Sequence, residues 1–141
     1  IIQILQGLVK AIVKYQDPSS GTWYQVTDQG AREGNYLESS ATALFIYTLA
    51  KAINKGYIGN EYIEPTQKAF DGMVKTFTRL EEDGSYTITN CCAVAGLGGD
   101  SKRYRDGSFE YYISEPIIEN DPKSVGSFIL AAIEYEKMTK K

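Results

Sequence analysis

Apolar residues recur at the spacing of an α-helix in four stretches of the chain. These stretches begin near residues 1, 37, 65 and 122 and end near residues 16, 55, 80 and 137. The residue before Pro18 is biased out of a helix, and Gly56 is a typical C-terminal stop. The pattern therefore predicts a mainly α-helical protein.

The second stretch differs from the first, whose apolar side chains form one stripe. Apolar residues and alanines cover most of the circumference of the second stretch, namely Ala41, Ala43, Leu44, Phe45, Ile46, Leu49, Ala50 and Ala52. A helix of this kind is expected to be buried on all sides. The fourth stretch is predicted to pack through Val125, Phe128, Ile129, Ala132 and Ile133.

Short segments between the helices are rich in aromatic and β-branched residues. Residues 22–26, 86–89 and 109–113 are predicted to be strands, and Asp83-Gly84 is predicted to be a turn. The long non-helical region from residue 85 to 121 is of a length that usually has a functional role in a compact domain.

An internal repeat relates the two halves of the chain. Gly7 to Lys10 resembles Gly72 to Lys75, and in each half a turn glycine, an aromatic segment and a buried helix follow. Outer amphipathic helices that alternate with inner buried ones are typical of an α/α toroid. We therefore predict one domain over residues 1–141, forming part of such a ring. The alternative is two helical hairpins in an α+β domain. Because Ile1 has neither a methionine nor a cap before it, we expect the natural protein to start upstream.

Composition excludes several classes of protein. The net charge is −3 and the basic residues are scattered, which argues against a nucleic-acid partner. No apolar run approaches the roughly 18 residues of a membrane span. There is no histidine, and the two cysteines, Cys91 and Cys92, are adjacent. A Ser-His-Asp triad, a Cys-His pair and a Cys-rich zinc site are thereby excluded within this chain, and a free buried thiol pair is predicted.

Candidate chemistry is concentrated between Asp106 and Gly126. Asp121 and Pro122 have the character of a helix start, and Lys123 lies in the first turn beside unpaired N–H groups. Such a position is a natural seat for an anion. In a ring, the loops before both inner helices lie on one face, which would hold Trp23, Arg32, Asn35, Tyr36, Glu38, Tyr112, Glu115, Lys123 and Ser124.

This set suits a polyhydroxylated, negatively charged ligand, and an acidic sugar fits it better than a nucleotide. Tyrosine and tryptophan faces stack on sugar rings, and glutamine both donates to and accepts from hydroxyls. The carboxylates available for acid/base work are Glu33, Glu38, Glu115, Glu119 and Asp121, and the sequence does not select a pair among them.

Several segments resemble a known family. Eight segments are similar, in this order, to segments of the unsaturated rhamnogalacturonyl hydrolases of glycoside hydrolase family 105. They are Tyr15-Gln16-Asp17-Pro18, Gly21-Thr22-Trp23-Tyr24-Gln25-Val26, Asp28-Gln29, Gly34-Asn35-Tyr36-Leu37-Glu38-Ser39-Ser40, Asp106 to Tyr112, Ser114-Glu115-Pro116, Glu119-Asn120 and Asp121-Pro122-Lys123. The unsaturated glucuronyl hydrolases of family 88 are the sister group. The similarity covers nearly the whole chain and corresponds to the C-terminal portion of the family.

The resemblance implies an (α/α)6 barrel and an unusual reaction. The substrate would be a pectin oligosaccharide of the rhamnogalacturonan type, left by a lyase and ending in a Δ4,5-unsaturated uronic acid. An aspartate acts as general acid and base and hydrates the double bond, and the hemiketal that forms collapses to release the sugar. No metal or organic cofactor is implied, and the family is mainly bacterial, with cytoplasmic and periplasmic members.

The catalytic aspartate and the histidines of this family belong to its N-terminal half. No catalytic residue is therefore expected in this chain, which would be inactive alone and would supply one wall of the pocket. We expect Lys123 and the adjacent helix N-terminus to hold the uronate carboxylate, with Tyr112 and Trp23 beside the sugar. The full set of predicted substrate-binding residues is Trp23, Tyr24, Gln25, Tyr112, Glu115, Lys123 and Ser124.

A second hypothesis is a non-catalytic helical module that binds glycans or other partners and is complete at this length. An open half-ring should also expose an apolar seam through which the chain self-associates.

Overall fold

The computed structural model of the protein describes residues 1–30, 32–99 and 104–140. Over these residues the helices are α1 (Ile2–Lys14), α2 (Ser39–Asn54), α3 (Ile63–Phe77), α4 (Phe109–Ser114) and α5 (Pro122–Thr139), with a 3-10 turn at Asn60–Tyr62. The strands are β1 (Thr78–Leu80), β2 (Tyr86–Ile88), β3 (Cys91–Cys92) and β4 (Ile117–Ile118). The prediction of a mainly helical protein is confirmed.

The strands form two small antiparallel pairs. β1 pairs with β2 around the turn at Gly84, where φ is 84°, with Thr78 opposite Ile88. β3 pairs with β4, with Cys91 opposite Ile118. The second pair joins the segment after the β1–β2 hairpin to the segment before α5.

Helices α2 and α5 lie side by side and run in the same direction. Their first turns meet through the Ser39 and Ser124 hydroxyls, 2.8 Å apart. Further along both helices, the Asn54 side-chain amide donates to the Glu134 carbonyl at 2.8 Å. Since both helices begin together, the loops that precede them lie on one face, as the sequence predicted.

Helices α1 and α3 run in the opposite direction to these two. Trp23 joins the C-terminal end of α1 to the start of α2. Its indole N–H donates to the Ile12 carbonyl of α1 at 2.7 Å, and its backbone N–H donates to Thr42 Oγ1 of α2 at 3.2 Å. α3 is joined to α5 by the stacked rings of Phe70 and Tyr135, whose centroids are 3.9 Å apart. The result is two helical hairpins packed together.

The hydrophobic core fills the space between these hairpins, and Trp23 lies in it. The Trp23 side chain has no exposed surface and contacts Phe45 edge to face, with ring centroids 5.2 Å apart. The buried core consists of Val9, Ile12, Trp23, Ala43, Ile46, Leu49, Ala52, Ile58, Ala69, Met73, Phe77 and Ala131.

The start of α2 is fixed by the buried carboxylate of Glu38. Its oxygens accept hydrogen bonds from Ala41 N at 2.6 Å, Ser40 Oγ at 2.9 Å and Cys92 N at 3.0 Å. One side chain therefore caps the helix and also ties it to β3.

Two of the predicted strands are wrong. Residues 22–26 form only an isolated bridge between Tyr24 and Leu37. Residues 109–113 are helical, because Ser108 caps the start of α4 by accepting from Tyr111 N at 3.1 Å. This local cap outweighs the β preference of the aromatic residues. The third helix also ends earlier than predicted, and Leu80 lies in β1.

The predicted packing face of α5 is wrong as well. Its buried residues are Ser124, Ser127, Ala131 and Met138, whereas Ile129 and Ile133 are exposed. Small side chains allow α5 to lie close to α2, and Ser127 satisfies its hydroxyl by donating to the Lys123 carbonyl at 2.7 Å. Helix α2 is likewise not buried on all sides, because Leu44 is exposed.

Replacement of Trp23 tests the core. Trp23→Ala removes a fully buried indole and should lower the free energy of unfolding by about 3–5 kcal/mol. Trp23→Phe should cost less, because it keeps most of the packing and loses the hydrogen bond to Ile12. Tyr86→Ala, at an exposed ring, is the control and should change stability little. Urea unfolding measures all three, and equal effects at Trp23 and Tyr86 would contradict the assignment.

Replacement of Glu38 tests the cap. Glu38→Ala leaves the buried Cys92 N–H without its acceptor and removes the cap, so it should cost about 2–4 kcal/mol. Glu38→Gln retains one acceptor oxygen and should cost less. Glu33→Ala, on the exposed loop, should stay within about 0.5 kcal/mol of the wild type. A Glu38→Ala variant as stable as Glu33→Ala would refute this role.

Candidate substrate-binding face

The loop face is the end of the structure at which α2 and α5 begin, formed by residues 15–30, 32–38, 89–99 and 104–121. Residues 90–93 connect its two halves. Asn90 accepts from Ser39 N at 3.0 Å, Cys92 Sγ accepts from Gln25 Nε2 at 3.2 Å, and the Ala93 carbonyl accepts from Lys123 Nζ at 3.0 Å. The face is therefore a single connected surface.

Lys123 lies on this face with its side chain about half exposed. Its ammonium group is 2.7 Å from Asp121 Oδ1, which also accepts from Lys123 N at 2.8 Å. The hydrogen bond to Asp121 raises the pKa of Lys123, and Lys123 in turn lowers the pKa of Asp121. The predicted anion seat at the start of α5 is thus occupied by the chain's own carboxylate.

Three of the predicted ligand-binding residues are buried, and their assignment is corrected; they are Trp23, Ser124 and Glu115, the last of which is described below. Trp23 is in the core, and Ser124 has no exposed surface because its hydroxyl meets that of Ser39 between the two inner helices. Burial leaves neither side chain a surface for a sugar to contact. Both residues instead hold together the elements that form the face.

Tyr24, Gln25 and Tyr112 are half-buried at the face. Gln25 is held by its backbone N–H, which donates to the Tyr36 carbonyl at 2.8 Å, and by its side-chain bond to Cys92. Tyr112 lies on α4, with its ring 5.0 Å from that of Tyr111. Their contact with a substrate stays a prediction.

Glu115 lies below this surface. Its side chain is buried, and Arg105 Nε is 3.7 Å from its Oε1 atom. The Tyr111 hydroxyl accepts a hydrogen bond from Gly96 N at 3.0 Å. The pKa of Tyr111 is raised, mainly by desolvation and further by a hydrogen bond to Glu115. Glu115 therefore anchors the segment that is closed by the Gly98–Arg105 backbone pair.

The loop before α2 is fixed by two side chains. Asn35 accepts from Val26 N at 3.2 Å and donates to the Val26 and Gln29 carbonyls, both at 2.9 Å. Arg32 forms an ion pair with Glu110 and places its guanidinium group 3.8 Å above the Phe109 ring. The loop is thereby attached to α4. The pKa of the neighbouring Tyr36 is raised, mainly because its side chain is buried and further because it interacts with Cys92 and Glu38.

Most of the candidate carboxylates have structural partners. Glu38 caps α2, Asp121 caps α5, and Glu119 pairs with both terminal nitrogens of Arg79 at 2.8 and 2.9 Å. Arg79 lowers the pKa of Glu119, which favours its ionised form, and a general acid needs the opposite. Glu33 is exposed.

The sequence reasoning missed the partners of these groups. Arg79 lies in a strand, 40 residues before its partner Glu119. Arg105 lies in a loop segment, 10 residues before Glu115. No local sequence signal links either arginine to its partner. The prediction of a free, buried cysteine pair is confirmed, and burial raises the pKa of the Cys91 thiol.

Within the described parts of the chain, no group of three or more acidic, cysteine or histidine side chains could hold a metal ion. A search of the same residues finds no helix with the length and apolar character needed to span a membrane.

The family model described as Glycosyl Hydrolase Family 88 matches residues 1–139. Among curated proteins, the 24.9 kDa protein in picA locus of Rhizobium radiobacter is 37% identical over 136 residues, which are 94% of this chain and 56% of that protein. The chain thus spans little more than half the length of this relative.

Solved structures give the same result. A glycoside hydrolase from family 105 of C. acetobutylicum is 46% identical with a TM-score of 0.92, over 96% of this chain and 37% of that one. A glycosyl hydrolase family 88 protein of Bacteroides vulgatus is 27% identical with a TM-score of 0.65, over 97% of this chain and 35% of that one. The chain therefore belongs to the family 88 glycosyl hydrolases and has the helical toroid fold of their family 105 relatives.

Proposed function

We propose that the protein to which this chain belongs removes Δ4,5-unsaturated uronic acid from lyase-generated pectin oligosaccharides of the rhamnogalacturonan type. The observation that carries the proposal is the 46% identity with a family 105 glycoside hydrolase along 96% of the chain. The chain covers only 37% of that hydrolase, so we propose that it supplies one wall of the pocket. On this account it is the C-terminal portion of the enzyme and is inactive alone.

The proposed reaction is the addition of water across the enol ether double bond, followed by collapse of the hemiketal and release of the next sugar. An aspartate outside this chain would transfer the proton. The role of this chain is to bind and orient the uronate. Lys123 is a cation of the loop face at the start of α5, and the same face carries the half-buried Tyr24, Gln25 and Tyr112.

The hydrogen bond between Asp121 and Lys123 opposes the binding of a uronate to Lys123. A uronate carboxylate that binds Lys123 Nζ must displace the Asp121 carboxylate, which is 2.7 Å from this nitrogen, or share the nitrogen with it. The exchange replaces one carboxylate by another at an exposed ammonium group, so its net free energy is small. Lys123 would therefore contribute a modest factor to affinity, about that of one charge-assisted hydrogen bond, and less to turnover.

A second candidate function is glycan binding without turnover. It is favoured by the structural engagement of Glu38, Glu119 and Asp121, which leaves these carboxylates unsuited to acid/base work. The relatives are bacterial proteins, and we propose a bacterial cytoplasmic location, with the periplasm as the alternative. Self-association of the isolated chain is also proposed, because Ile129, Leu130 and Ile133 are exposed on α5.

The hydrolase proposal is tested with the full-length protein and an unsaturated galacturonyl-rhamnose disaccharide. The ultraviolet absorbance of the conjugated double bond should fall as rhamnose is released. The chain alone should leave the absorbance unchanged, since it lacks the proposed acid. A folded full-length protein that is inactive on both galacturonyl and glucuronyl substrates would favour the binding-module hypothesis instead.

The role of Lys123 is tested by a pair of variants with opposite expected effects. Lys123→Ala should raise KM by roughly tenfold, the loss of one charge-assisted hydrogen bond, with a smaller effect on kcat. Asp121→Asn keeps a good helix cap but removes the competing charge, so it should lower KM. An unchanged KM in both variants would exclude Lys123 from carboxylate binding.

A further inference from the structure

A surface cleft of about 360 Å³ lies between the end of α1 and the segment from residue 24 to 30. Its volume falls within the range of about 300–1,000 Å³ that is typical of small-ligand pockets. It is lined by Lys14, Tyr15, Gln16, Asp17, Pro18, Tyr24, Thr27, Asp28 and Gly30. Apart from Tyr24, none of these residues is among the predicted substrate-binding residues.

Two of the polar lining residues hold the cleft together. Gln16 donates to the Gly21 carbonyl at 2.8 Å and to the Pro65 carbonyl at 2.9 Å. Asp17 Oδ2 accepts from the Ser20 amide and from the Ser20 hydroxyl, both at 2.7 Å. These bonds use Gln16 Nε2 and Asp17 Oδ2, and they fix this side of the cleft.

The other polar groups are available to a ligand. Among the described residues, the side chains of Thr27 and Asp28 make no hydrogen bond to the protein, and Asp28 is exposed. The Lys14 ammonium group contacts only the neighbouring Tyr15, at 3.5 Å from its hydroxyl and 4.9 Å from its ring centre. The cleft is therefore lined by one cation, by the carboxylates of Asp28 and of the Ser20-bound Asp17, and by the Thr27 hydroxyl.

Two tyrosine rings form the apolar part of the lining. Tyr15 is 38% exposed, and Tyr24 is half-buried against Gly30. A side chain at residue 30 would meet the Tyr24 ring at 2.8 Å, so the glycine permits this close packing and fixes the ring. Aromatic faces of this kind pack against the C–H face of a sugar ring, and tyrosine adds a hydroxyl at the edge.

We propose that this cleft is a second sugar subsite, which takes a saturated uronate residue further along the oligosaccharide. Lys14 pairs with the uronate carboxylate, Asp28 accepts hydrogen bonds from adjacent ring hydroxyls, and the tyrosines contact the ring face. The inference rests on the proposed function, since it extends the same substrate beyond its unsaturated end.

The cleft and Lys123 are connected across the loop face. Tyr24 lines the cleft, and the next residue, Gln25, donates to Cys92 Sγ at 3.2 Å. The residue after Cys92 is Ala93, whose carbonyl accepts from Lys123 Nζ at 3.0 Å. Lys123 and the cleft therefore belong to one connected part of the loop face, and on this proposal a longer oligosaccharide should bind more tightly than a disaccharide.

The experiment is an NMR titration of the full chain with saturated trigalacturonate, with neutral maltotriose as the comparison ligand. The amide signals of Tyr24, Asp28 and Gly30 should shift with trigalacturonate and not with maltotriose. Lys14→Ala and Asp28→Asn should each weaken binding roughly tenfold, the effect of losing one charge-assisted hydrogen bond. Matched controls are Lys10→Ala and Glu64→Gln, which remove exposed charges from the same helix as Lys14 and from α3, outside the loop face, and should leave affinity unchanged.

Three results would overturn the subsite: no shift at the cleft, equal shifts with maltotriose, or unchanged affinity in both cleft variants. Circular dichroism and an unfolding curve verify that each variant is folded, and Lys14→Met retains the apolar stem while removing the charge. Hydrolysis of the unsaturated disaccharide does not depend on the cleft. Failure of the proposed function would therefore appear in that assay, and failure of the subsite in the titration.

Discussion

The parallel contact between α2 and α5 is the constraint on which the loop face depends. Ser39 and Ser124 join the first turns of these helices at 2.8 Å, and Glu38 ties the same point to β3 through Cys92. Because both helices begin together, the loops before them open on the same side. Small buried residues on α5 make this approach possible, and larger side chains there would separate the two loops.

The positions of the two helix starts also explain why carboxylates on this face are paired within the chain. Helix starts supply unpaired N–H groups, and here each inner helix is capped by its own carboxylate, Glu38 or Asp121. The caps stabilise the helices, and they hold in hydrogen bonds the two carboxylates that a hydrolase could otherwise use. On the proposed function, the proton transfer would belong to another part of the protein, and this face would serve recognition.

The sequence predicted what depends on local signals. The Asp121-Pro122 helix start, the Gly84 turn and the free thiol pair follow from residue types at fixed positions, and the structure has all of them. Helical hairpins with a shared loop face followed from the repeat. The family resemblance, carried by motifs such as Gly34 to Ser40, was also sound.

The errors concern effects that only tertiary packing decides. Serines at residues 124 and 127 are buried because their hydroxyls have partners, whereas a hydropathy pattern counts serines as surface residues. Trp23 resembled a sugar platform, but its indole N–H reaches the Ile12 carbonyl in the core. The pairing of Asp121 with Lys123 depends on side-chain geometry, so the sequence alone indicated an open anion seat.

Binding of a uronate by Lys123 on the loop face can be observed in a crystal structure. The full-length protein would be crystallised with a saturated galacturonyl-rhamnose disaccharide, which has no double bond to hydrate. We expect Lys123 Nζ at about 2.7–3.0 Å from a uronate oxygen, with Asp121 displaced or sharing the ammonium group. A disaccharide bound elsewhere, with the Asp121–Lys123 pair unchanged, would contradict this expectation.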